Sequence, residues 1–149
     1  MIVPIALATG LGLAACGGDD KDSDTLSRSD LATKADSICS KAVKETGKSS
    51  TPSNFDDPKT AGPYFDKLAS ISHKETQDLE ALSPAEDAKT DWDAFVTQQK
   101  GLDDLIQSLK QNADSKKTSA LAEDLQKLPE VGKDVGAAAD KIGAKNCAQ

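Results

Sequence analysis

The chain has 149 residues, enough for one ordinary domain, with 37% hydrophobic and only 3% aromatic content. Any core must therefore be built mainly from Leu, Ala, Val and Ile. A net charge of −7 argues against a nucleic-acid surface, which needs Lys and Arg for phosphates, and against a polybasic hold on anionic lipid.

Met1–Ala15 reads MIVPIALATGLGLAA, apolar throughout and without a charged residue. Its length suits the h-region of a signal peptide and falls short of the ~20 residues of a spanning helix. The basic n-region is missing, so either the start codon lies further upstream or the sequence is truncated. The stretch Leu13-Ala14-Ala15-Cys16 resembles the lipobox of bacterial lipoproteins. That resemblance implies export, thioether transfer of a diacylglycerol to Cys16, and cleavage between Ala15 and Cys16. A cysteine is required because a thiolate is the alkylatable nucleophile. Each buried methylene of the acyl chains contributes about 0.8 kcal/mol, so two or three chains hold stably. The expected partner is thus a lipid bilayer, with the mature chain on the extracytoplasmic face of the cell membrane.

Three cysteines are present. Lipidation of Cys16 leaves Cys39 and Cys147 as a pair, and an exported chain sits where disulfides form. Neither has a Cys or His near it in sequence, so metal is not indicated. Gly17–Thr25 holds two glycines, four aspartates and no apolar residue, which makes residues 16–26 a flexible acidic tether ahead of a folded domain at 27–149. Asp20, Asp22 and Asp24 begin like a calcium loop, but Thr25 and Leu31 stand where Gly and Glu are needed.

The spacing of Leu31, Ala35, Ile38, Ala42 and Val43 predicts a first helix from about Arg28 to Glu45, with Ser27 and Asp30 as a capping box and Gly47 as a stop. Lys48–Pro58 is a loop. A second helix starts at Pro58 or Pro63 and carries Tyr64, Leu68, Ile71, Glu75, Leu79 and Leu82. Glu75 interrupts that stripe and is expected at its edge, its charge reaching water. In Ser83-Pro84-Ala85-Glu86, Ser83 is expected to cap a third helix and Pro84 to open it. Trp92, Phe95, Val96, Leu102, Leu105, Ile106 and Leu109 form its apolar face. Gly101 in its middle is either a cost of ~1 kcal/mol or a point of close approach. After a turn at Asn112–Thr118, a fourth helix carries Leu121, Leu125, Leu128, Gly132, Val135, Ala139 and Ile142 at heptad spacing. Pro129 is expected to kink or split it. The fold expected is all-α, an up-down-up-down four-helix bundle with its first and fourth helices adjacent. Cys39 lies mid-helix, so a bond to Cys147 requires the fourth helix to stop short or its tail to fold back.

No catalytic constellation is legible. His73 is the sole histidine, off the apolar stripe, with no identifiable base–nucleophile partner. Glu75, Asp78, Glu80, Asp91, Asp93, Asp103 and Asp104 are read as solvated faces balanced by lysines. No metal site and no cofactor are expected. Trp92, Tyr64 and Glu75 are the candidates for a partner or ligand patch, although both aromatics have core-like spacing.

The whole layout resembles small secreted lipoproteins common in actinobacteria. The residues that carry this are Ala35-Asp36-Ser37-Ile38-Cys39, the Leu79–Pro84 corner ahead of Trp92, and Cys147. The resemblance bears on topology and disulfide, not on activity. The function expected is a non-enzymatic, membrane-anchored binding module of the cell envelope, facing another envelope protein or peptide. The alternative is a carrier of small molecules or peptides with a pocket between helices. A closed, filled bundle would count against the carrier, and a large exposed apolar patch would favour the protein partner.

Overall fold

The computed structural model describes residues 25–55 and 57–148. The segment expected to be a signal peptide, Cys16 and the expected tether up to Asp24 lie outside the described residues. The rest forms four helices, α1 (Arg28–Thr46), α2 (Pro58–Glu80), α3 (Glu86–Asp114) and α4 (Thr118–Ile142). They make an antiparallel four-helix bundle in which α3 packs along both α2 and α4. No described helix is long and apolar enough to cross a membrane.

Local chemistry sets most of the helix ends. Ser27 caps α1, its hydroxyl accepting from the Asp30 amide at 3.2 Å. Asp57 caps α2 by accepting from the Lys59 amide at 3.0 Å, and Pro58 takes the first helical position. Both α3 and α4 end on a left-handed residue, Lys116 at φ 54° and Gly143 at φ 84°. In each case the following amide reaches back to the last turn, Lys117 to Asn112 at 2.9 Å and Ala144 to Ala139 at 3.0 Å.

The α2–α3 corner differs from the sequence expectation. Ser83 is not a cap, and α3 begins at Glu86 with no side-chain cap. Ser83–Ala85 instead runs extended beside Leu26, whose amide donates to the Ser83 carbonyl at 2.7 Å and whose carbonyl accepts from Ala85 at 2.9 Å. Leu26 packs on the core, so it belongs to the folded body and not to the tether. The two bonds pair the Leu26 amide and carbonyl, which precede α1, with the extended corner.

The fourth helix is not split. It runs as one element through Pro129, whose ring lies on the exposed face. The bundle is also uneven. With 19 residues against 29 in α3, α1 spans only part of its length and touches α4 lightly. Arg28 makes the link there, donating to the Lys141 carbonyl at 3.0 Å, the Asp87 carbonyl at 2.9 Å and the Asp91 carboxylate at 2.9 Å.

Two apolar clusters fill the ends of the bundle. One joins Leu31, Ala35 and Cys39 of α1 to Leu79, Trp92, Phe95, Val135, Ala139 and Ile142. The other, at the α3–α4 corner, joins Ala61, Phe65, Leu109, Ala113 and Leu121, with Phe55 and Tyr64 packed on it. The five aromatics divide between them. Trp92 and Phe95 stand 5.4 Å apart in the first, and Phe55, Tyr64 and Phe65 lie within 5.9 Å of one another in the second.

The disulfide joins Cys39 to Cys147, with Cα atoms 5.2 Å apart. Of the two routes open to it, the chain takes the second. Gly143 ends α4, and the tail turns back along the bundle until Ala148 lies against Gly136, where a Cβ would stand 3.4 Å from the Ala148 carbonyl oxygen. Asp36 holds the tail on α1 by accepting from the Asn146 amide at 2.7 Å.

Gly101 is a cost and not a point of approach. It and Gly132 are exposed helical positions, and a Cβ on either would meet nothing within 4 Å. Alanine at both is expected to add about 2 kcal/mol, from the ~1 kcal/mol helix-propensity gap at each. The check is a urea melt whose midpoint rises without a change in slope.

Candidate functional site

Between the two apolar clusters the interior is polar. On α2 the innermost residues run Ala61, Phe65, Ala69, Ser72, Thr76 and Leu79, and on α3 Ala88, Trp92, Phe95, Gln99, Asp103, Ile106, Leu109 and Ala113. The α2 stripe is therefore rotated by one residue from the Tyr64–Leu68–Ile71 line, and Phe65, not Tyr64, is the core aromatic. Ser72, Thr76, Gln99 and Asp103 form a belt across the middle, each less than a tenth exposed. Asp103 is thus no solvated face, contrary to expectation. Neither is Asp124, which accepts from Ser108 at 2.6 Å, Asn112 at 2.9 Å and Lys127 at 2.8 Å and so fastens α3 to α4. The Lys127 and Ser108 bonds hold its carboxyl below the usual range.

Glu75 connects this belt to the outside. Its charge does not simply reach water, as the stripe-edge reading expects. Burial pushes its carboxyl up from 4.5 to about 7, with the Asp103 charge adding to that and the Gln99 amide opposing it. On its other side Glu75 lines a cavity of about 120 Å³ between α1 and α2. Ile38, Ala42 and Ile71 supply apolar wall, and Lys41, Glu45, Ser70, Lys74 and Asp78 complete the lining. The neighbouring hydroxyls of Ser72 and Thr76 are buried and have no hydrogen-bond partner among the described residues. Each such group costs about 1–3 kcal/mol when left unpaired, so this stretch of α2 carries a destabilising polar load.

A second arrangement lies on the far side of α2. His73 Nδ1 stands 3.1 Å from the Asp103 carboxylate, and Gln107 donates to the other Asp103 oxygen at 3.2 Å and to the Ala69 carbonyl at 3.1 Å. The Gln77 side-chain amide lies 3.0 Å from His73 Nε2. The Nδ1–H tautomer satisfies both contacts, with Nε2 accepting from Gln77. An imidazole oriented by a buried carboxylate suits proton transfer, but Nε2, the nitrogen that would act, is capped by Gln77. Among the described residues no group of three His, Cys, Asp or Glu side chains is placed to hold a metal ion.

The expected patch of Trp92, Tyr64 and Glu75 does not exist as one surface. Trp92 is 3% exposed in the first cluster, Tyr64 packs at the opposite end, and Glu75 lies between them. Val43 is the large hydrophobic residue exposed among those described, so these residues form no broad apolar face. Sequence reasoning missed Gln99, Asp103, Ser72 and Thr76. The signal was there as continuity of spacing: Phe95, Gln99, Asp103 and Ile106 keep the three-and-four rhythm of α3 through polar residues.

No family model, curated protein or solved structure matches this chain.

Proposed function

We propose that the chain is a lipid-anchored, extracytoplasmic binding module, non-enzymatic, held to the membrane through Cys16 and taking its ligand at the α1–α2 cavity. The observation that carries this is the Cys39–Cys147 bond. It leaves Cys16 as the odd cysteine of three, placed after an apolar segment and before an acidic spacer. A disulfide also fits an exported chain.

The cavity favours a small ligand over the broad protein interface that an exposed apolar face would suggest. A docking site for an envelope protein is the second reading, and nothing about Trp92 or Tyr64 favours it. The His73–Asp103 pair is not read as catalytic, because its outward nitrogen is already bonded and no nucleophile among the described residues is joined to it.

Cys16→Ser is expected to abolish incorporation of labelled fatty acid and to move the protein from the membrane to the soluble fraction. Membrane retention unchanged by the substitution would sink the anchor.

A further inference from the structure

The first helix is gripped along one half only. Ahead of it, Leu26 pairs with the α2–α3 corner. Arg28 bonds to α3 and α4, Asp36 holds the tail, and Cys39 carries the disulfide. Leu31, Ala35 and Cys39 are buried in the first apolar cluster. Beyond Cys39 the grip ends. Among the described residues no hydrogen bond or ion pair joins residues 40–46 to another helix, and Ala42 is the one buried residue of that stretch. Glu45 is bonded to Lys48 of its own segment. This ungripped half is also the part of α1 that borders the cavity. Lys41, Ala42 and Glu45 line it from α1, with Ile38 at the boundary, and Ile71 and Glu75 line it from α2.

We propose that residues 40–46 of α1 are a lid on this cavity, opening about Cys39 while the gripped half of the helix stays in place. So short a stretch does not remain helical off its support, since isolated helices need about 12–15 residues even to be marginal. Leaving α2 and unwinding are therefore one event, a local opening that costs less than global unfolding. The loop from Gly47 onward gives slack at the far end, up to Phe55, which is packed on the second cluster. As a gate for a ligand the lid rests on the binding-module reading, and the motion itself does not.

Opening lets water reach Glu75 from the α1 side. In the closed state burial holds its carboxyl at about 7, against an ordinary 4.5. A proton on Glu75 therefore favours the closed lid, and its loss as the pH rises through 7 favours the open one. The charges about Glu75 are Lys41 and Glu45 on α1, Lys74 and Asp78 on α2, and Asp103 on α3. Lys74 is bonded to Asp78 at 2.8 Å. For a carboxyl that regains its ordinary value on opening, the open population rises about tenfold from pH 6 to pH 8.

Amide hydrogen exchange of the Cys16→Ser chain, resolved by residue, tests this without a ligand. Protection factors remove the base-catalysed rise in the exchange rate itself. Residues 40–46 are expected to be less protected than residues 32–38 of the same helix and than the middle of α3. Their protection is expected to fall about tenfold from pH 6 to pH 8, and Glu75→Gln is expected to remove that fall. Added urea below the unfolding transition is expected to speed their exchange only weakly, because a local opening exposes little surface, while the middle of α3 responds steeply. Residues 40–46 as protected as residues 32–38, a urea response as steep as that of α3, or a pH response that Glu75→Gln retains overturns the proposal. No ligand enters the measurement, so the lid and the ligand reading can fail separately.

Discussion

Replacing Cys39 and Cys147 together by serine is expected to lower stability by about 3–5 kcal/mol and the melting temperature by roughly 15–20 °C. The bond closes a loop across a sequence separation of 108 residues, nearly the whole folded body. The chain-entropy model gives close to the top of its range for a loop of that length. A local effect adds to this. The tail from Ala144 to Ala148 has no helix of its own and is held by the disulfide, by the Asp36–Asn146 bond and by its contact at Gly136. Without the bond, the α1 surface around Ala35, which has zero exposure and whose carbonyl lies 3.4 Å from Cys147 Sγ, loses the cover that the tail provides. The measurement is a thermal melt of wild type and variant, with and without reductant. Reduced wild type should melt with the variant, and a loss below about 1 kcal/mol would show that the tail holds without its bond.

Glu75 is expected to set the pH dependence of stability near neutrality. The folded chain keeps a proton on it up to about pH 7, whereas the ordinary value is 4.5. Its contribution is therefore full below about pH 4.5, falls as the pH rises through 7 and is level above that. The full shift corresponds to about 3 kcal/mol, and partial exposure of the carboxyl trims it to about 2–3 kcal/mol. Glu75→Gln mimics the protonated form, so it should flatten this slope and raise stability at pH 8 by about 2 kcal/mol. Asp124 acts in the opposite sense at the acid end. Its carboxyl is held low, so what it contributes is present above its unfolded value and is lost as the pH falls through the folded one. Urea melts of both proteins at pH 5, 6, 7 and 8 report on Glu75, since Asp124 stays ionised across that range. Parallel curves for wild type and Glu75→Gln would remove Glu75 from the account.

The elements of the fold could be read from the chain because their ends are written in local chemistry. Ser27 and Pro58 act where their side chains say they should. The disulfide followed from counting, once Cys16 was set aside. Where the reading failed, the cause was tertiary. Ser83 looks like a cap, but its backbone pairs with Leu26, some 57 residues earlier in the chain, and no local pattern announces that. The largest apolar residues of α2 mark a stripe that places Tyr64 and Ile71 innermost. The bundle turns the helix one position further and buries Ser72 and Thr76 instead. Polar residues inside a bundle are invisible to a search for hydrophobic periodicity. Glu75 is the exception: it breaks the apolar line, and it links cavity and belt.

The pairing of Leu26 with Ser83–Ala85 has a mechanical consequence. Everything ahead of Leu26 in the chain connects to the body at the α2–α3 corner, beside the start of α1. A pull from that side loads two backbone hydrogen bonds side by side before it reaches α1. From there Arg28 shares it with α3 and α4, and the disulfide ties α1 to the far end of the chain. The load is spread over all four helices at one end of the bundle, so traction cannot peel α1 away by itself.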